Sequence, residues 1–254
     1  MGNTEILYGY HPVLEAIKAG RRKMIAVYIA AHRPSRRTHD IEQAAAAESI
    51  PLERVADSRF RSLAGTGLHQ GICARVGPYD VLEFSALLAQ ANHSDSFFLL
   101  LDSIVDPQNL GALIRSALCV GMDGVVIPKD RSASPTPAVS RASAGAMEHI
   151  RLSRVTNMTA TIQRLKQAGV WVYGLDKYAP EIIYRCDLKG AVALVVGGEA
   201  QGIRPLVKNS CDRLISIPQK CELDSLNASA AGAVAMYEVF RQRLESGGKS
   251  ALDA

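Results

Sequence analysis

The sequence predicts an α/β protein built on a parallel sheet. Three observations carry that expectation. Continuous apolar runs, Phe97-Phe-Leu-Leu-Leu101, Gly124-Val-Val-Ile127 and Ala191 to Val196, suit strands buried on both faces. Segments of helical pattern separate them, as in crossover-connected parallel strands. Several of these strands run into a glycine-rich or polar corner, where ligands of open α/β sheets bind.

The N-terminal part reads as a small α/β unit. Met24-Ile-Ala-Val-Tyr-Ile-Ala30 is an apolar strand. His39 to Ser49, rich in Ala and Glu, is helical by propensity. Leu52 to Val55 is a short strand, Asp57 caps a short helix, and Gln70 to Val76 alternates like a strand. Gly77-Pro78 then breaks the chain. A helical connector, Leu82 to Ala91, and the polar Asn92–Ser96 loop follow. The expected partition is therefore a substrate-binding domain over 1–77, a linker over 78–96 and a larger domain over 97–254.

In the larger part, helices are expected over Pro107–Val120, Pro137–Met147, Thr156–Ala168, Ile203–Asn209 and Asn227–Leu244. Gly169 stands as a helix-ending glycine. Val170–Tyr173 and Arg213–Ile217 complete the strands.

Composition excludes several classes. With 48% hydrophobic and 21% charged residues among 254, the chain can bury a sizeable core. No apolar run approaches the ~18 residues that span a membrane, and no secretory leader pattern is seen. The five cysteines form no CxxC pair, which points to reduced thiols and a cytoplasmic location. No His pair stands at metal-ligand spacing, so no metal is expected.

The net charge of +4 is unevenly spread. Lys18 to Arg37 holds seven basic residues and no acid. That stretch is either a solvated rim around the Met24–Ala30 strand or a phosphate-contacting strip. Arg21, Arg22, Lys23, Arg36 and Arg37 are its candidate RNA contacts.

Three corners carry candidate chemistry. The first is Asp106-Pro107-Gln108-Asn109-Leu-Gly-Ala-Leu-Ile-Arg115, in which Asp106 is an N-cap and Pro107 the first helical residue. Asn109 and Arg115 could line a groove, and an ordinary capped helix with an exposed Arg would read the same way. The second is Gly197-Gly198-Glu199-Ala200-Gln201-Gly202-Ile203. It matches neither a dinucleotide fingerprint nor a phosphate-binding loop, which disfavours a dehydrogenase or a phosphoryl transferase. Glu199 is a positioned acceptor there, or a cap. The third is Ser225-Leu226-Asn227-Ala228-Ser229, whose residue types also suit helix caps. Convergence of the three corners is the simpler reading.

Together these segments resemble the SpoU (TrmH-like) family of RNA ribose 2′-O-methyltransferases, in the SPOUT superfamily. The resemblance rests on Asn109–Ala117, on Leu194–Ile203 continuing through Ile215-Ser-Ile-Pro218, and on Ser225–Ser229, in that order. Leu7–Ile17 and His69-Gln-Gly-Ile72 are similar to that family's small substrate-binding domain. Arg141–His149 is similar to the branch that methylates a guanosine in bacterial 23S rRNA.

The resemblance implies a parallel-sheet domain with a deep C-terminal trefoil knot, and a ribosomal-protein-L30e-like N-terminal α/β domain. It implies S-adenosylmethionine (S-adenosyl-L-methionine) held by Gly197, Gly198, Ile217, Leu226 and Asn227, a homodimer, and 23S rRNA as substrate. It implies catalytic positions at Arg115, Asn109, Glu199, Ser225 and Asn227. Within these roles Arg115 would hold a phosphate and stabilise the nascent alkoxide, and Glu199 would fix Arg115 or a backbone donor. The chain has Ala200, Gln219 and Ala228 where the family usually has Gly, Met and Val. A tRNA guanosine 2′-O-methyltransferase would use the same site, and a non-catalytic RNA-binding or ribosome-assembly module is a third alternative.

Overall fold

The computed structural model describes residues 4–31, 35–65, 69–91, 94–220 and 226–247. The chain divides into two compact units. The first is Met1–Asp80 with Ser134–His149, and the second is Val81–Ala133 with Ile150–Ala254.

The first unit opens with β1 (Glu5–Tyr8), α1 (Tyr10–Ala19), β2 (Met24–Ala30) and α2 (Arg36–Ala47). It continues through β3 (Leu52–Val55), α3 (Asp57–Ala64) and β4 (Ile72–Val76). The strand order is β1-β4-β2-β3. β4 is antiparallel to both β1 and β2, and only β2–β3 is parallel. β2 has apolar residues on both faces because both faces are covered. Val27 and Ile29 enter a cluster with α1 and α2, while Ala26, Tyr28 and Ala30 pack with Phe60 of α3. That is the two-residue period of a strand. α2 starts three residues before the expected His39. Ser35 and Thr38 cap it reciprocally, with Thr38 N–H donating to Ser35 Oγ at 3.3 Å and Ser35 N–H to Thr38 Oγ1 at 2.9 Å.

In the second unit, α4 (Phe84–Ala89) precedes β5 (Phe97–Asp102), α5 (Pro107–Cys119) and β6 (Gly124–Pro128). The chain then contributes α6 (Pro137–Ala142) and a 3₁₀ turn (Ala146–Glu148) to the first unit. It returns for β7 (Leu152–Val155), α7 (Met158–Gln167), β8 (Trp171–Leu175) and β9 (Glu181–Ile182). β10 (Val192–Gly197), α8 (Pro205–Lys208), β11 (Arg213–Ser216) and α9 (Ala228–Gly247) complete it. Among the described residues the sheet order is β7-β6-β5-β10-β8-β11-β9, with every neighbour parallel.

Two parts of the expected partition are corrected. The 78–96 segment is more than a linker: Phe84 and Leu87 of α4 sit in the second unit's core, and Leu82 N–H donates to Leu152 O at 2.9 Å. Residues 134–149, expected in the larger domain, belong to the first unit. There Gly145 packs so tightly that a Cβ would lie 2.8 Å from Glu15 and from the His11 carbonyl. His149 Nε2 meets Glu15 at 2.8 Å in the same unit.

Arg22 is also a correction. Its side chain is 1% exposed and cannot reach a phosphate. It pairs with Glu5 and, at 3.4 Å, with the equally buried Glu148. It also donates to the Gly77 carbonyl at 2.7 Å. A buried guanidinium needs such partners to offset its desolvation. Arg21 is half-buried and donates to His149 O at 2.7 Å. Lys23, Arg36 and Arg37 are exposed.

Removing Arg22 leaves Glu148 buried without its cation. Arg22→Met should therefore cost about 3–5 kcal/mol of unfolding free energy by urea denaturation. Lys23→Met, one residue away and exposed, should cost under about 0.5 kcal/mol.

Candidate active site

The pairing of β5 with β10 runs in register from Phe97↔Val192 to Asp102↔Gly197. β5 continues to β6 on one side and meets β10 on the other. Their carboxyl ends therefore form the topological switch point where α/β sheets bind ligands. All three corners meet there.

Asp106 caps α5 by accepting from Gln108 N–H at 2.9 Å, and Pro107 occupies the first helical position. The helix thus begins close to the end of β5, with Asn109 in its first turn. From there Asn109 Nδ2 donates to Glu199 Oε1 at 3.0 Å. Asn227 stands just before α9. Its Oδ1 accepts from the N–H groups of Ser229 (2.9 Å) and Ala230 (3.3 Å), capping the helix. Its Nδ2 donates to Asn109 Oδ1 at 3.0 Å and to Glu199 Oε1. An amide has two N–H donors, so both bonds can form together. Asn109, Glu199 and Asn227 are one closed hydrogen-bonded triangle, drawn from positions 90 and 28 residues apart.

Beside the triangle lies a cavity of about 380 Å³. Gly197, Gly198, Ile217 and Leu226 line it, as does Glu199. The Asp176–Tyr178 loop also lines it. Glycine is required at two positions of this lining. A Cβ on Gly197 would stand 2.1 Å from the Gly202 carbonyl carbon, and one on Gly198 would stand 2.4 Å from Ser103 O. Both clashes are with backbone, which cannot give way. The Asp176 carboxylate accepts from Tyr178 N–H at 2.8 Å and pairs with Lys208. Burial opposes its ionisation. The hydrogen bonds from Lys208 and Tyr178 outweigh that and hold it below the usual carboxylate range.

One expected feature differs. Glu199 is bonded to Asn109 and Asn227 rather than to Arg115. Arg115 is exposed on α5, and no hydrogen bond or ion pair to it is found among the described residues. Ser225 lies outside the described residues. Asp102 and Arg204, which no local motif marks, hold the two ends of the glycine loop. Asp102 is fully buried and accepts from Arg204 N–H and Nε, each at 2.8 Å. The available signal was a carboxylate closing an otherwise apolar buried strand, which needs a partner.

Residues 96–237, more than half the chain, match the model of the SpoU rRNA Methylase family. The chain belongs to the SpoU rRNA methylase family. Residues 6–82 match the RNA 2′-O ribose methyltransferase substrate binding model. The SpoU chain is 36% identical to the 23S rRNA (guanosine-2′-O-)-methyltransferase RlmB of Ralstonia nicotianae, over 96% of this chain and 98% of that one. It is 37% identical to an uncharacterized tRNA/rRNA methyltransferase of Synechocystis sp., over 94% of its own length, and spans 63% of that longer protein. Its fold is that of the SpoU methyltransferase AviRb from Streptomyces viridochromogenes. The TM-score is 0.81 at 20% identity, covering 96% of this chain and 91% of that one.

Asn227 does two jobs that substitution separates. Asn227→Ala should lose about 1 kcal/mol by chemical denaturation as the cap is removed. Asn227→Ser keeps a capping oxygen and should recover that stability. Neither variant has the amide that reaches Glu199, so both should be impaired in methyl transfer.

Proposed function

We propose that this SpoU protein transfers a methyl group from S-adenosylmethionine to the ribose 2′-hydroxyl of a guanosine in 23S rRNA. The observation that carries the reading is the Asn109–Glu199–Asn227 triangle beside a glycine-walled cavity at the switch point. The relatives of known name support the rRNA substrate and the guanosine. When bound, S-adenosylmethionine supplies a methyl group on a positively charged sulfur.

The residues suit that cofactor. The cavity lies within the ~300–1,000 Å³ range of small-molecule sites. Its wall combines apolar Ile217 and Leu226 with the closely packed backbone of Gly197 and Gly198. Such a wall can take an adenosine face while offering main-chain hydrogen bonds. Glu199 brings a negative charge to the same wall, favourable to a cationic ligand.

A ribose hydroxyl is a weak nucleophile whose oxygen gains negative charge as it attacks. Catalysis therefore rests on placement and on stabilising that charge. Arg115 fits the second task. A guanidinium stays protonated in proteins, so it serves as a phosphate clamp and alkoxide stabiliser rather than as a base. Asn109 and Asn227, fixed through Glu199, orient the reacting groups. Ser225 would order the third corner.

The finer architecture belongs to the same reading. The second unit carries a trefoil knot, the first is ribosomal-protein-L30e-like, and the protein works as a cytoplasmic homodimer. Exposed Val234 and Tyr237 share one face of α9, an apolar stripe suited to a subunit contact. RNA contacts on the first unit fall to Lys23, Arg36 and Arg37, with Arg21 held by its bond to the His149 carbonyl. Arg37 also lies 5.6 Å from the Tyr10 ring centre, a cation and an aromatic on one surface.

Incubation with labelled cofactor and extracted RNAs should yield one 2′-O-methylguanosine in 23S rRNA. A product found only in tRNA would overturn the substrate. In single-turnover assays Arg115→Lys should fall at least about tenfold with cofactor binding unchanged, since an ammonium lacks the bidentate fork. Joint replacement of Lys23, Arg36 and Arg37 by Gln should weaken RNA binding and flatten its salt dependence, again without touching cofactor affinity. An unchanged salt slope would return the strip to a solvated rim.

A further inference from the structure

The glycine loop that carries Glu199 has little packing of its own, for Glu199, Ala200 and Gln201 are all exposed. Yet both of its ends are tied to one residue. At the start, Gly198 N–H donates to the Asp102 carbonyl at 3.0 Å. At the far end, Arg204 N–H donates to the Asp102 carboxylate at 2.8 Å. The Arg204 guanidinium closes on the same carboxylate, with Nε at 2.8 Å and Nη2 at 2.6 Å. Asp102 has no exposed surface, so this is a charge held in the interior by its partner.

Arg204 is also the residue that enters α8, and Lys208 at the end of α8 pairs with Asp176. Asp176 also lines the cavity, in the loop after β8. The two lining loops are therefore connected through one short segment: Asp102 to Arg204, along α8, and Lys208 to Asp176. Ser103 adds to the constraint. It takes φ +66°, in the left-handed region, and its carbonyl lies where Gly198 admits no side chain.

We infer that Asp102 and Arg204 are positioning residues for the cofactor site, acting with Lys208 and Asp176 to fix the Gly197–Glu199 loop relative to the Asp176–Tyr178 loop. The inference rests on the reading of that cavity as the S-adenosylmethionine site. Neither Asp102 nor Arg204 lines the cavity, so their effect is indirect. The guanidinium fork fixes the direction of the loop as well as its distance. Loosening the fork lets Glu199 and the Gly197–Gly198 backbone drift, and small misplacements of positioning groups have large effects.

The test is titration calorimetry with S-adenosylmethionine, paired with steady-state kinetics on the full-length protein. Arg204→Met keeps the apolar stem and removes the fork. It should raise the cofactor Kd at least about tenfold and raise the cofactor KM with it, leaving the RNA KM unchanged. Arg204→Lys should fall between it and the wild type. Asp102→Asn placed on Arg204→Met should recover part of the affinity, because it removes the buried uncompensated charge and keeps an acceptor for the Arg204 N–H. Lys208→Met should weaken the same parameter to a smaller degree.

A purely structural role predicts a lower melting temperature with cofactor and RNA parameters worsening together, and recovery of both together in the double variant. That result, or a folded Arg204→Met with wild-type cofactor affinity, overturns the inference. Should Arg204→Met not fold, Arg204→Lys and Lys208→Met decide by the same split. Absence of any binding by the wild-type protein would instead reject the cofactor reading of the cavity.

Discussion

The parallel ladder between β5 and β10 is the constraint from which the site follows. Phe97 to Asp102 is buried at every position, and so is Val192 to Val196. Each fully buried Leu or Phe there contributes roughly 1.5–3 kcal/mol relative to exposure. An exposed ion pair contributes ~0–1 kcal/mol. Burial therefore fixes where these strands lie, and their register brings Asp102 beside Gly197. Two corners separated by almost a hundred residues are then neighbours before any polar contact forms. The polar contacts refine that placement. Asp102 anchors the loop after β10, and the Glu199 carboxylate gathers Asn109 and Asn227 from two helices.

Much of this was legible in the sequence because the signals were local. The apolar runs gave β5 and β10 almost to the residue. Asp106-Pro107 marked the start of α5, and the glycines around Glu199 marked a turn without room for side chains. Convergence was inferable from the shared sheet end alone. The partners within the site were not. Glu199 could have met Arg115 by charge, but the bonds to the Asn109 and Asn227 amides are set by the tertiary position of α5 and α9. The Asp102–Arg204 pair was hidden for a similar reason: nothing local joins residues 102 positions apart.

The first unit shows the opposite failure, of a signal too strongly local. Seven basic residues without an acid look like one surface. Sequence neighbours on a turn diverge in space, however, and Arg22 points inward to Glu5 and Glu148 while Lys23 points out. The acid that balances the strip comes partly from Glu148, 126 residues away. The same long connection explains why the domain edge was misplaced. Residues 134–149 leave the second unit between β6 and β7, and their polar side chains complete the first unit's interior.

The contrast between Glu199 and Arg115 bears on catalysis. A carboxylate beside a catalytic guanidinium would neutralise it and compete with an incoming phosphate. Here the carboxylate is engaged by two neutral amides, and the guanidinium stands exposed on α5. In the proposed reading, the arrangement keeps the negative charge on the cavity lining, where a cationic cofactor benefits. It leaves the positive charge where a polyanion can reach it. Neutral amides are suited to the intermediate role, since they orient the carboxylate by hydrogen bonds without adding a cation that would repel a sulfonium. In the proposed reading, two opposite charges thus serve two ligands of opposite sign, provided that Asn109 and Asn227 keep Glu199 occupied.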